Sequence, residues 1–266
     1  MSQKTIFWDF EGTLADRLGL RRSAVMEVLD VNEPGHHVDM EWIRPYLRDG
    51  FFWHRWWQPH CHLTTADAWW TETEKIFVRA YQGVGFEPNR AVQLAKSVRG
   101  CFVNQKRFVI PDDVQPTLQR LSELGWRHII ISNHVPELPD IVSALGLIEH
   151  VCLCLSSAST GYEKPNRQAY VHALAIAGNP NHVWMVSDNP DADVFGAEAA
   201  GIPAILVRTK RIDGVRHYAS GLHEILLETQ LAYCSLAVGS CDGLETIMTP
   251  STLGNFARAS RVNVCS

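Results

Sequence analysis

"IFWDFEGTLADR", residues 6–17, decides the fold. An apolar run ends in Asp9, and Gly12 and Thr13 follow at once. This reads as a buried strand that carries a carboxylate to its C-terminal end and then turns sharply. A glycine there lets the backbone bend and lets backbone amides approach an anion. The run covers 4–10, and four more follow: "RHIIIS" (127–132), "VCLCLS" (151–156), "HVWMVSD" (182–188) and "PAILVR" (203–208). None alternates polar with apolar residues, as expected where helices cover both faces of a parallel sheet. Helical patterns lie between them. Residues 112–125 start at an Asp112 or Asp113 cap and stop at Gly125, 136–146 stop at Gly146, 166–178 run from Asn166 to Gly178, and 191–201 stop at Gly201. The alternation is that of a doubly wound, mainly parallel α/β sheet.

Residues 15–107 read differently. They hold no convincing strand, several amphipathic stretches such as "RRSAVMEVLD" (21–30) and "ADAWWTETEKIFVRAYQGVG" (66–85), and six of the nine tryptophans. They read as a helical domain inserted into an α/β core formed by 1–14 and 108–228. The tail, 229–266, has weak periodicity and many small residues and is assigned no function. The tryptophans read as packing between helices, with some aromatics and Arg48 or Arg55 left to face a substrate. His54, His60, Cys61 and His62 match no zinc spacing and read as surface or core residues.

The formal net charge of −5 offers no basic excess for nucleic acid or an anionic membrane, so both are excluded as partners. No apolar run approaches the length of a membrane span. The first ten residues turn acidic too soon for a signal peptide. Seven scattered cysteines without C-x-x-C spacing read as reduced thiols in the cytoplasm, with Cys152 and Cys154 in the core.

Ligands of doubly wound sheets bind beyond the carboxyl ends of the strands. Asp9, Ser132 and Asp188 stand at those ends. A hydroxyl beside the free amides of Asn133 and the next helix suits a phosphate oxygen. Lys164, in "TGYEKPNRQAY" (160–170), precedes a helix on the same side. "SDNPDAD" (187–193) adds Asp188, Asp191 and Asp193. Carboxylates gathered with Asp9 at one edge repel each other unless a hard cation sits among them, and Mg²⁺ with oxygen ligands answers that need.

In this order, "DFEGTL", "ISN", the lysine of "YEKP" and "SDNPDAD" resemble the four motifs of the haloacid dehalogenase-like hydrolase superfamily, over roughly residues 4–210. The resemblance implies that family's core with a helical cap, and a Mg²⁺-dependent phosphatase acting on a small phosphorylated metabolite. It implies Asp9 as the nucleophile that becomes an aspartyl-phosphate. Asp9, Asp188 and the backbone carbonyl of Glu11 would hold Mg²⁺, with Asp193 supporting the metal site. Ser132 and Asn133 would bind the phosphoryl oxygens, and Lys164 would neutralise charge on nucleophile and phosphate.

Two residues depart from the pattern. Position 11 is Glu where the family's phosphatases usually carry Asp, and Glu11 reads as the acid/base on a stem one methylene longer. The family's dehalogenases usually carry Tyr there, so Glu11 speaks against that reaction. Ser187 stands where Gly often precedes the last motif, and little effect is expected of it. The competing readings are a dehalogenase, phosphonate hydrolase or phosphomutase on the same fold, and a non-catalytic binding protein that kept the scaffold.

Overall fold

The strands are β1 (Lys4–Trp8), β2 (Asp16–Arg17), β3 (Phe108–Val109), β4 (Trp126–Ser132), β5 (Val151–Ser156), β6 (His182–Ser187), β7 (Ala204–Val207) and β8 (His217–Ala219). The helices are α1 (Ala24–Asn32), α2 (Met40–Leu47), α3 (Ala66–Gly83), α4 (Pro88–Phe102), α5 (Val114–Glu123), α6 (Leu138–Ala144), α7 (Ser157–Thr160), α8 (Arg167–Ile176) and α9 (Gly196–Ala199). This computed structural model describes residues 3–18, 24–63, 65–226 and 229. The described residues all fall in one compact unit that ends at Thr229. Apart from Thr229, the tail expected at 229–266 lies outside the described residues.

Six strands form one parallel sheet in the order β5-β4-β1-β6-β7-β8. The chain winds from β1 out to β5, then returns to the other side of β1 to lay down β6, β7 and β8. That reversal makes β1 the middle of the site, because its carboxyl end lies between those of β4 and β6. Side chains alternate across a strand. Phe7 therefore packs on one face with Ile129, Ile131, Tyr170, Met185 and Leu206, under α8 and α9. Trp8 points to the other face, where its indole donates to His128 Nδ1 (3.0 Å) and His128 Nε2 donates to the Leu118 carbonyl of α5 (3.1 Å). Burial pushes His128 down to about 4, so the ring is neutral and can accept from Trp8.

The insert's helices form by the usual amphipathic rule. In α3, Trp69, Trp70, Thr73, Ile76, Phe77, Ala80 and Tyr81 are buried, a spacing that keeps one face inward. Thr65 caps the helix by accepting from Ala68 N (3.1 Å). α3 packs on α2 and α4, and α1 packs on α4. The Tyr81 hydroxyl ties α3 to the Val25 carbonyl of α1 (2.9 Å).

Three expectations change. Residues 15–107 do contain a strand: β2 pairs antiparallel with β3, Asp16 opposite Val109 and Arg17 opposite Phe108. Two residues are too few to leave a pattern in the sequence. The three residues of β8 escaped notice for the same reason. Cys152 and Cys154 are exposed and half-exposed rather than core, because β5 is the edge strand of the sheet. The helix expected at 191–201 begins as a turn of π-helix, Pro190–Phe195, before α9. Such turns are frequent at functional sites.

Candidate active site

Asp9 follows β1 directly and is buried. Its Oδ1 accepts from the Ser132 hydroxyl (2.9 Å) and from Lys164 Nζ (2.7 Å). Lys164 Nζ also donates to the Ile131 carbonyl (2.9 Å) and pairs with Asp193 Oδ1 (2.5 Å). Burial alone would lower the lysine pKa, but Asp193 and Asp9 outweigh it and hold the ammonium above its ordinary value. Asn133 clamps the backbone of Lys164 at both ends: its Oδ1 accepts from Lys164 N (2.7 Å) and its Nδ2 donates to Lys164 O (2.8 Å). The Lys164–Pro165 peptide bond is cis.

Asp193 is taken up by this arrangement. While Oδ1 meets Lys164, Oδ2 accepts from the Ser187 hydroxyl (2.7 Å), which itself accepts from Asn189 N (3.0 Å). Ser187 was expected to matter little, yet its oxygen orients the carboxylate that holds Lys164. A glycine there has no hydroxyl to do this.

Asp188 follows β6 and lies beside the turn after Asp9. Its Oδ1 accepts from the Thr13 hydroxyl (3.2 Å), and Thr13 Oγ1 in turn accepts from Asp188 N (3.1 Å). Gly12 has φ +91°, and a Cβ on it would lie 2.3 Å from Asp188 Oδ2. Only glycine leaves the Asp188 carboxylate room there. Burial, and then the charge of Asp9, raise the Asp188 pKa. Among the described residues no three His, Cys, Asp or Glu side chains gather as a metal group. A divalent cation would therefore rest on two carboxylates, Asp9 and Asp188, with backbone oxygen. Their mutual repulsion, with Asp9 raising the Asp188 pKa, fits a hard cation.

Glu11, two residues beyond Asp9, lines a cavity of about 640 Å³ together with Lys164, Asn133 and the insert's aromatics. Burial raises its pKa; Arg17 opposes this, and the charges of Asp9 and Asp188 add to it. Its Oε1 stands 3.3 Å from Arg17 Nε. The Arg17 guanidinium lies over the rings of Phe102 (4.9 Å) and Phe108 (4.8 Å). His134 Nε2 is 3.8 Å from Glu11 Oε2, but burial drives His134 down to about 3, so the ring is neutral and forms no ion pair. Next to Lys164, Glu163 is 1% exposed, and neither of its carboxyl oxygens has a hydrogen-bond partner among the described residues. Burial raises it to about 7. His60 Nε2 of the insert stands 3.8 Å from Glu163 Oε1, and the Lys164 charge holds the rise back.

The structure thus brings Asp9, Ser132, Asn133, Lys164 and Asp193 into one hydrogen-bonded group, with Asp188 and Glu11 near enough to feel the charge of Asp9. The histidine and cysteine stretch of the insert separates instead: His60 is buried against the Ser157 carbonyl (3.1 Å), and Cys61 packs on Gly161, where a Cβ would lie 2.6 Å from its sulfur. Arg17 was missed. The arginines expected to face a substrate were Arg48 and Arg55, and neither lines the cavity. The one sequence signal for Arg17 was its position eight residues after Asp9, in the connection that leaves the core.

A family model for haloacid dehalogenase-like hydrolase matches residues 3–201. The phosphoserine phosphatase of Thermus thermophilus is 32% identical over 136 residues, 50% of this chain and 53% of that protein. Human haloacid dehalogenase-like hydrolase domain-containing protein 3 is 28% identical over 148 residues, 55% of this chain and 58% of that protein. The chain spans about half the length of these curated relatives. Among solved structures, a 2-haloacid dehalogenase from Pseudomonas syringae superposes with a TM-score of 0.64 at 24% identity, covering 87% of this chain and 99% of that one, which shows a shared fold. With the family model spanning most of the chain and its motif residues meeting at one sheet edge, the chain belongs to the haloacid dehalogenase-like hydrolase family.

Proposed function

We propose that the chain is a Mg²⁺-dependent phosphatase of a small phosphorylated metabolite, working through an aspartyl-phosphate on Asp9. The observation that carries this reading is Glu11. It lines the cavity beside the Asp9 group, and burial biases it toward its protonated form. A departing alkoxide needs a proton and a departing halide does not, so an acid at this place supports phosphate ester cleavage. The phosphatase relatives lend the same support.

The chemistry proceeds in two displacements. Ser132 and Lys164 hold Asp9 Oδ1, so the second oxygen, Oδ2, attacks phosphorus. The bond from phosphorus to the ester oxygen breaks as Glu11 gives that oxygen its proton. Glu11, now a carboxylate, takes a proton from water. The water oxygen attacks phosphorus, releasing inorganic phosphate and free Asp9. Lys164 stays charged throughout and offsets repulsion between the anionic nucleophile and the anionic ester. Asp193 and Asn133 position Lys164. Mg²⁺, held by Asp9, Asp188 and the Glu11 carbonyl, would neutralise charge on the phosphoryl oxygens. The helical insert acts as a cap that shields the site from water and excludes macromolecular substrates. Among the described residues no helix is long and apolar enough to cross a membrane, and Cys61, Cys101, Cys152 and Cys154 are free thiols. The free thiols support action in a reducing compartment such as the cytoplasm.

The test is turnover of acetyl phosphate and p-nitrophenyl phosphate with and without Mg²⁺, for wild type, Asp9→Asn and Glu11→Gln. Metal-dependent release of phosphate that disappears in Asp9→Asn is the expected result. Equal inertness of wild type and Asp9→Asn across both compounds, or halide release from 2-chloropropionate, overturns it.

A further inference from the structure

We propose that the alcohol released from the substrate is a flat aromatic one bearing a carboxylate, a substrate class that rests on the phosphomonoester reading above. The cavity has two unlike parts. Glu11 and Lys164 stand at one end, while Phe51, Trp53, Trp56, Trp69, Phe77 and Phe102 form much of the remaining wall. Its volume, about 640 Å³, suits a ring-bearing metabolite.

Several polar groups along that wall are committed to the protein, while the Trp69 indole nitrogen and the His134 ring nitrogens have no hydrogen-bond partner among the described residues. The Thr73 hydroxyl donates to the Trp69 carbonyl (3.0 Å), and the Trp70 indole donates to the Glu137 carboxylate (3.1 Å). Both ends of the Asn133 amide are held by the Lys164 backbone, and Asn189 Oδ1 accepts from Ala192 N (3.0 Å). A sugar or polyol would bring more hydroxyls than these few groups can meet, and an unpaired polar group in an apolar pocket is costly. A planar ring buries its faces against the aromatic wall at no such penalty.

Arg17 differs from these groups in carrying a charge. Its side chain lines the cavity, 13% exposed, with Nε 3.3 Å from Glu11 Oε1. A carboxylate on the leaving group meets this cavity-lining guanidinium in a fork geometry that it matches. The zwitterionic alcohol of phosphoserine would bring a carboxylate but no ring for the wall.

The experiment compares kcat/KM, with Mg²⁺, for benzyl phosphate, 4-carboxybenzyl phosphate, glycerol 3-phosphate and O-phosphoserine, with acetyl phosphate as the probe of the chemistry itself. Tryptophan fluorescence quenching by benzylphosphonate and 4-carboxybenzylphosphonate reads the cavity independently of turnover. Benzyl phosphate is expected to exceed glycerol 3-phosphate by about tenfold or more, and the carboxylate to add about tenfold again. Arg17→Met should abolish the second increment in both turnover and quenching while leaving the first. Turnover of glycerol 3-phosphate or O-phosphoserine as fast as benzyl phosphate overturns the assignment, and so does acetyl phosphate hydrolysis without quenching by either phosphonate. An equal loss on benzyl and 4-carboxybenzyl phosphate in Arg17→Met means that Arg17 acts through Glu11 or the phosphate and removes the carboxylate from the proposal. Quenching without hydrolysis of any phosphate, acetyl phosphate included, sinks the phosphatase reading and leaves the cavity assignment standing.

Discussion

The strand ends of the core and the helices of the insert carry charge in opposite ways. In the core, Lys164 is buried between Asp9 and Asp193, at 2.7 and 2.5 Å. In the insert, ion pairs such as Lys75–Glu72 and Arg44–Glu41 stand on the exposed surface, while the side facing the cavity is aromatic. Buried charges interact in a low dielectric and depend on every partner, whereas exposed pairs are screened by water and salt. The difference separates two jobs. The core gathers buried charge at its strand ends, and the insert lines the cavity with ring faces, which under the proposed function would choose what reacts.

The largest effect should come from Asp9, the proposed nucleophile of the core. Asp9→Asn keeps the size of the side chain and should cut phosphate release by on the order of 10⁴-fold, with circular dichroism checking that the fold persists. Activity retained within tenfold would move the chemistry elsewhere.

Glu11→Gln, at the border between the two regions, should slow turnover of alkyl phosphates by on the order of 10²-fold or more. Glu11 must start protonated, so wild-type activity should fall as pH rises through its raised pKa. Arg17 holds that pKa back, so Arg17→Met should shift the falling limb to higher pH. A pH–rate profile for the two proteins checks the direction.

Glu163 probes where the regions touch. Its pKa in the folded protein is about 7, above its ordinary value of 4.5. The folded state therefore binds more protons between these values, and the stability this group contributes is present below about 4.5 and lost as pH rises toward 7. Glu163→Gln does not titrate. Its stability relative to wild type should improve by up to about 3 kcal/mol between pH 4.5 and 7. Urea denaturation at both pH values measures this, and a difference that stays constant would mean that Glu163 titrates normally.

Ser187→Ala should destabilise by about 1–2 kcal/mol, a fall of several degrees in Tm, because the buried Asp193 Oδ2 loses its donor. The smallest effect belongs to the insert's surface. Lys75→Met removes one of its exposed pairs and should change stability by less than about 0.5 kcal/mol. If Lys75→Met proved as damaging as Ser187→Ala, the contrast between buried and screened charge would fail.

Much of the core was legible before the structure. Five parallel strands were readable from apolar runs, and parallel strands linked through helices present their carboxyl ends on one edge. Asp9, Ser132 and Asp188 had to become neighbours once β1 lay between β4 and β6. The Lys164 loop joins them because it also leaves that edge. The roles of Asn133 and Asp193 were harder to read, since the same residue types serve as ligands or as props. Asn133 turned out to grip the Lys164 backbone, and Asp193 to grip its ammonium group.

The insert was legible only as a set of helices. Its tryptophans could be counted, but a periodic apolar face looks alike whether it meets a neighbouring helix or a cavity. Arg17 was invisible for a related reason: two paired residues, β2 against β3, set it over Phe108 and beside Glu11.

By itself, then, the sequence determined the parallel sheet, the order of its strand-end groups and the family, because hydrophobic periodicity and motif order are local along the chain. Tertiary structure alone decided which oxygen of Asp9 is held, what Asp193 and Ser187 touch, and which rings surround the cavity. Those depend on distances between segments far apart in the chain, and contacts of a few ångströms leave no local trace.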